Sequence, residues 1–121
     1  MNRNFFITTP IYYPSGNPHM GHAYSSIIVD FFARFKRIEG YKVFFLTGTD
    51  EHGLKIQRAA EKNKKNPLEF CDEISKTFKD LSNTLNLSNN DFIRTTEKRH
   101  HKSVQNLWDI LEKKGEIYLK Y

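Results

Sequence analysis

A single cysteine, Cys71, leaves this chain without an internal disulfide, and no apolar run approaches the ~20 residues of a bilayer-spanning helix. The first residues also lack the basic start, apolar core and small-residue cleavage site of a secretory leader. A soluble protein in a reducing cytoplasm, with no membrane partner, is the expectation. There is no internal repeat and no low-complexity linker. What is present is a globular composition, 38% hydrophobic and 14% aromatic, in 121 residues. That length suffices for one modest core and falls short of the usual two-domain enzyme.

Lysine and arginine outnumber the acids, giving a formal charge of +5, and gather in RFKRIEGYK, KIQRAAEKNKK and EKRHHK. Each cluster reads as the wet face of a helix. A basic surface equally attracts polyanions such as nucleic acids over long range. Charge alone leaves both readings open.

Along the chain, NFFITT (4–9) reads as a buried strand, followed by a turn cluster at Pro10, Pro14, Ser15, Gly16, Asn17 and Pro18. From Met20 to about Glu39 the apolar residues Ala23, Ile27, Ile28, Phe31, Phe32 and Phe35 follow the helical period, and Gly40 offers a stop. YKVFFLTGTD is a second strand whose unbroken apolar core, Val43 to Leu46, predicts burial on both faces. Further helices are expected over about 53–63, 68–85 and 97–114, with a short strand in NNDFIRTT and a strand-like EIYLKY at the end. Cys71 falls in the third helix as a small buried hydrophobe. Strands alternating with helices predict an α/β fold with a thin, largely parallel sheet and an unpaired edge.

In such sheets ligands bind beyond the carboxyl ends of the strands, where this sequence carries PIYYPSGNPHMGH and TGTDEHG. The helix expected near Met20 offers unpaired amides and a positive dipole end, a site for an anion. Gly21 removes a side chain there, while His19 and His22, one turn apart, are hydrogen-bond donors for a polyphosphate. His19, His22, Asp50 and His52 are also legitimate zinc ligands, and an ordinary loop histidine beside a helix histidine is the plain alternative. Asp50 doubles as a candidate N-cap for the helix near Gly53.

The stretch TTPIYYPSGNPHMGHAYSSIIVDFFARFKRIEGYKVFFLTGTDEHGLKIQRAA resembles the amino-terminal nucleotide-binding half of the class I methionyl-tRNA synthetases. His19-Met20-Gly21-His22 is similar to that family's His-Ile/Leu-Gly-His signature, TGTDEHG to its second active-site strand end, and DFIRTTEKRH to the segment before its connective insertion. The resemblance implies a Rossmann-like sheet and a two-step reaction. Methionine and ATP, the latter as its Mg2+ complex, would give methionyl-adenylate, and the methionyl group would then pass to tRNA(Met). It implies that His19, Gly21 and His22 bind ATP, with both histidines acting in catalysis. It further implies a methionine site of Pro10, Ile11, Tyr12, Tyr13, Asp50 and His52, with Asp50 holding the α-ammonium.

The family's Lys-Met-Ser-Lys-Ser signature, its connective domain and its anticodon-binding domain are absent from these residues. Residues 1–121 are therefore expected to be the amino-terminal part of the catalytic domain, a poor catalyst alone, with any zinc held elsewhere in the parent. Another class I synthetase and a non-catalytic nucleotide- or RNA-binding module remain the alternatives.

Overall fold

A computed structural model describes residues 3–120. The element order is β1 (Asn4–Thr8), α1 (Met20–Ile38), β2 (Lys42–Thr49), α2 (Leu54–Lys62), α3 (Pro67–Thr84), β3 (Asp91–Arg94) and α4 (Lys98–Lys113). The three strands form one parallel sheet in the order β1-β2-β3, so an α/β unit emerges as the alternating pattern predicts. Local chemistry sets the helix ends. Gly40 follows α1 with φ +82°, a left-handed conformation that glycine adopts without a Cβ penalty. Asn66 caps α3 by accepting from Leu68 N at 2.9 Å, ahead of Pro67 in the first turn.

Side chains alternate along β2. Val43 and Phe45 pack with Ala33 of α1, and Thr49 meets Ser75 of α3 with their Oγ atoms 3.1 Å apart, so both helices cover one face. Fully burying Phe45 contributes roughly 1.5–3 kcal/mol. The expected burial on both faces does not hold within the described residues. Phe6 and Phe44 stack on the other face with centroids 5.9 Å apart, yet remain 63% and 46% exposed. β1 likewise alternates between exposed and half-buried positions rather than lying buried.

Helix α1 turns an unexpected stripe to the interior. Its buried residues are Ser26, Asp30 and Ala33, while Ile27, Phe31, Phe32 and Phe35 of the apolar pattern stay exposed. The polar members are satisfied. Ser26 bonds the Tyr12 hydroxyl at 3.0 Å, and Asp30 accepts from Arg34 Nε at 2.6 Å and from Ser88 N at 2.7 Å. Burial opposes ionisation of Asp30, but the Ser88 and Arg34 bonds outweigh it and hold the carboxyl below its ordinary range. Arg37 Nη2 donates to Ser88 O and to Asn90 Oδ1, pinning the loop before β3 to α1.

Residues 116–120 form no strand, contrary to the expectation for EIYLKY; its last residue, Tyr121, lies outside the described residues. A β-prone run needs a partner strand for its amides, and this one has none among the described residues. No residue of α4 is buried. Among the described residues no helix is long and apolar enough to cross a membrane.

Candidate active site

The segment after β1 returns to the sheet. The β1–β2 ladder is interrupted after Thr9, whose N donates to Leu46 O at 3.2 Å, and resumes one residue late at Tyr12, whose N donates to Gly48 O at 3.0 Å. Asp50 N in turn donates to Tyr12 O at 2.8 Å. Two sequence clusters far apart in the chain are thereby sewn together beyond the strand ends. The close approach of β3 requires the glycine at 48, because a Cβ there would lie 2.0 Å from Ile93 O.

His19 is the N-cap of α1, with extended backbone at φ −132° and ψ 178°. Its Nδ1 accepts from Gly21 N at 3.1 Å, and its own N donates to His22 Nδ1 at 3.0 Å. The two imidazoles thus cap the helix reciprocally, as serine and glutamate do in a capping box. Because each Nδ1 is an acceptor, each neutral ring carries its proton on Nε2, which is left as a free donor. The rings lie 3.9 Å apart at 35°. Burial, and then the repulsion of a charged His19, lower the His22 pKa below its ordinary value, which favours the neutral form.

This changes the expected anion site. The Gly21 amide is not unpaired but taken by His19, so the donor capacity of the helix tip passes to the imidazole Nε2–H groups. Gly21 serves the ring as well, since a Cβ there would lie 3.0 Å from His19 Cε1. His22 is seated on aromatics, edge-on to Tyr12 at 4.9 Å and to Phe78 of α3 at 5.0 Å.

Both rings line an open cavity of about 390 Å³. Ile11, Tyr12 and Tyr13 form one wall, and Ser15, Gly16 and Asn17 form the loop above it. Lys55, from the first turn of α2, also lines it. Sequence reasoning missed that lysine, although its place just beyond the TGTDEHG cluster was a signal. Pro10, Gly21 and Asp50 are outside the cavity lining, with half-buried Asp50 tied to its Tyr12 wall.

His52 turns elsewhere. Its Nδ1 lies 3.0 Å from Thr95 Oγ1, and it lines separate hollows, one of them shared with His100 and His101. Asp50 is not the N-cap of α2. That position is Gly53, at φ +107° and without a side-chain cap. No group of three or more His, Cys, Asp or Glu among the described residues is arranged to hold a metal ion. Cys71 is buried, and burial, then the nearby Glu51 charge, pushes its thiol up to about 11.

Residues 5–121 match the family described as tRNA synthetases class I (M). The chain is 56% identical over 117 residues to a mitochondrial methionine–tRNA ligase of Takifugu rubripes, covering 97% of this chain and 20% of that protein. It is 53% identical to a methionine–tRNA ligase of Listeria monocytogenes, covering 95% and 17% respectively. The structure of Mycobacterium tuberculosis methionyl-tRNA synthetase in complex with methionyl-adenylate superposes with a TM-score of 0.92 at 43% identity. That match covers 99% of this chain and 23% of that one. The chain spans about a fifth of the length of the curated relatives it matches.

Proposed function

The chain belongs to the class I tRNA synthetases of the methionyl type, and from that membership we propose that it supplies the amino-terminal part of the catalytic domain of a methionine–tRNA ligase. The observation that carries the reading is the reciprocal histidine cap, whose two Nε2–H donors belong to rings lining one cavity beside Asp50. In the reaction, the methionine carboxylate attacks the α-phosphorus of ATP, which enters as its magnesium complex. Pyrophosphate leaves and methionyl-adenylate forms. A terminal ribose hydroxyl of tRNA(Met) then attacks the acyl carbon and AMP leaves.

His19 and His22 would hydrogen-bond the phosphate oxygens as charge shifts onto them, acting by position and electrostatics rather than by covalent attack. Gly21 lets the His19 ring fold over the helix tip. Asp50 would hold the methionine ammonium by a charge-assisted bond. Ile11 and Tyr13, 47% and 53% exposed, would form the substrate-facing wall, shaped from behind by Pro10 and Tyr12. His52, bonded to Thr95, falls outside this proposed set. Zinc is not assigned to these residues, since His52 turns to Thr95, away from His19 and His22, and no group of three or more His, Cys, Asp or Glu among the described residues is arranged to hold a metal ion. The cytoplasm is the proposed compartment.

The test is amino-acid-dependent ATP–pyrophosphate exchange by the full-length enzyme carrying this segment, across a panel of amino acids. Exchange with methionine, abolished by Asp50→Ala, supports the reading. Exchange with a different amino acid moves the chain to another class I specificity, and ATP binding with no exchange at all makes it a non-catalytic module. The isolated 121 residues are expected to give no exchange, because they contain no lysine-rich signature to neutralise the departing phosphates.

A further inference from the structure

Glu51 lies between Asp50 and His52, two of the residues that sequence reasoning assigned to the methionine site, and its side chain is 0% exposed. A buried carboxylate away from any partner would be expelled or protonated, yet this one is saturated with donors. Oε1 accepts from Thr49 Oγ1 at 2.8 Å, from Arg94 Nε at 2.7 Å and from Ser75 Oγ. Oε2 accepts from Arg94 Nη2 at 3.0 Å and from Thr96 Oγ1. The donors come from the end of β2, from α3, from the end of β3 and from the segment just beyond it. The backbone of the same residue is held too, with Glu51 N donating to Thr95 Oγ1 at 2.8 Å.

The immediate neighbours inherit this rigidity. Asp50 is fixed behind by Glu51 and in front by its own amide on Tyr12 O, at 2.8 Å, so its backbone is fixed relative to the cavity wall. His52 is drawn the other way, onto the same Thr95 hydroxyl that receives the Glu51 amide. The forked contact of Arg94 ties β3 into this arrangement, and Arg94 Nη2 also meets Asp72 of α3 at 2.6 Å.

We propose that Glu51, clamped by the Arg94 fork, is the positioning residue of the site: it fixes Asp50 against Tyr12 and thereby sets the geometry of amino-acid capture. It touches no substrate and acts only through Asp50. The inference rests on the proposed role of Asp50, and it adds a residue pair outside the lining of the histidine cavity.

The experiment compares Glu51→Gln and Arg94→Lys with wild type in the full-length enzyme, measuring KM for methionine and for ATP separately by pyrophosphate exchange. Glutamine keeps the shape but offers the fork one acceptor instead of two; lysine keeps the charge but loses the fork. Both are expected to raise KM for methionine about tenfold, the scale of weakening one charge-assisted bond, with KM for ATP unchanged. Arg94→Lys retains the Glu51 carboxylate, so it provides the readout should Glu51→Gln fail to fold. Unchanged KM for methionine in either folded variant, or a parallel rise in both KM values, overturns the proposal and leaves a merely structural ion pair. Wild-type enzyme inactive with methionine overturns the functional reading beneath it, which separates the two failures.

Discussion

Replacing Gly21 by alanine separates the two services of the histidine cap. The added Cβ would lie 3.0 Å from His19 Cε1 and 3.2 Å from Nδ1, so the ring must give by a few tenths of an ångström, which strains and at the limit breaks its 3.1 Å bond to the residue 21 amide. Loss of an N-cap bond costs about 0.5–2 kcal/mol, with exposed caps at the low end. Alanine in place of glycine within a helix contributes up to about 1 kcal/mol in the opposite direction. The terms nearly cancel, and net stability should move by no more than about 1 kcal/mol. Catalysis has no such compensation. A donor displaced by about 1 Å from a transition state costs on the order of 100-fold in rate, which is the upper bound for this smaller shift of the ring. The assay pairs urea denaturation with methionine-dependent pyrophosphate exchange on the full-length Gly21→Ala enzyme. Wild-type exchange in a variant of wild-type stability refutes the argument, because it means that the His19 ring contributes nothing where the cap holds it.

Four further outcomes can be checked. Gly48→Ala should cost more than about 2 kcal/mol in urea denaturation, since its Cβ would meet the Ile93 backbone oxygen at 2.0 Å and only parting of β2 and β3 relieves that. Glu51 contributes acid-sensitive stability: burial raises its pKa, but the Arg94, Ser75, Thr96 and Thr49 bonds lower it further, so the contribution is complete above about pH 4.5 and is lost as pH falls through the lower folded value. Glu51→Gln should flatten that acid limb in a pH series of thermal melts. His22, whose folded pKa is lowered, stays neutral and capping until pH falls below 6.5, so the acid limb of exchange activity should lie below 6.5 and stability should fall there too. Cys71, with its thiol at about 11, should react with a thiol reagent about 100-fold more slowly in the folded chain than in urea.

The order of strands and helices was legible because period and punctuation are local. Asn66-Pro67, Gly40 and the run Val43 to Leu46 each announce their element without help from the rest of the chain. The buried face of α1 was not legible. Ser26 and Asp30 read as solvent residues until their partners Tyr12 and Ser88, distant in sequence, are brought to them. The run EIYLKY misled for the opposite reason, since β-propensity records a fit to a neighbouring strand that residues 116–120 do not meet. At the site, the glycine between two histidines pointed to the helix tip. The reciprocal use of Nδ1 depends on the extended backbone at His19, which residue types do not reveal. Arg94 carried no signal, because its partner Glu51 is 43 positions away.

Under the proposed function, the same geometry gives a reason for histidines rather than lysines at the tip. A lysine there would bring a full charge that binds the ATP ground state and the transition state alike, which lowers KM without raising kcat. Two neutral imidazoles, each oriented by a backbone bond at its Nδ1, instead present directed dipoles that need not reorganise when charge develops. Direction survives only if the mounting is stiff. Tyr12 supplies the mounting, bonded through its backbone to Gly48 and Asp50, through its hydroxyl to Ser26, and stacked on Phe78 at 5.6 Å while carrying His22 on its edge. One buried tyrosine therefore links the histidine proposed for the phosphates to the carboxylate proposed for the amino acid. Under the proposed function, the relative placement of the two substrates would in this way be built into the end of the sheet before either of them binds.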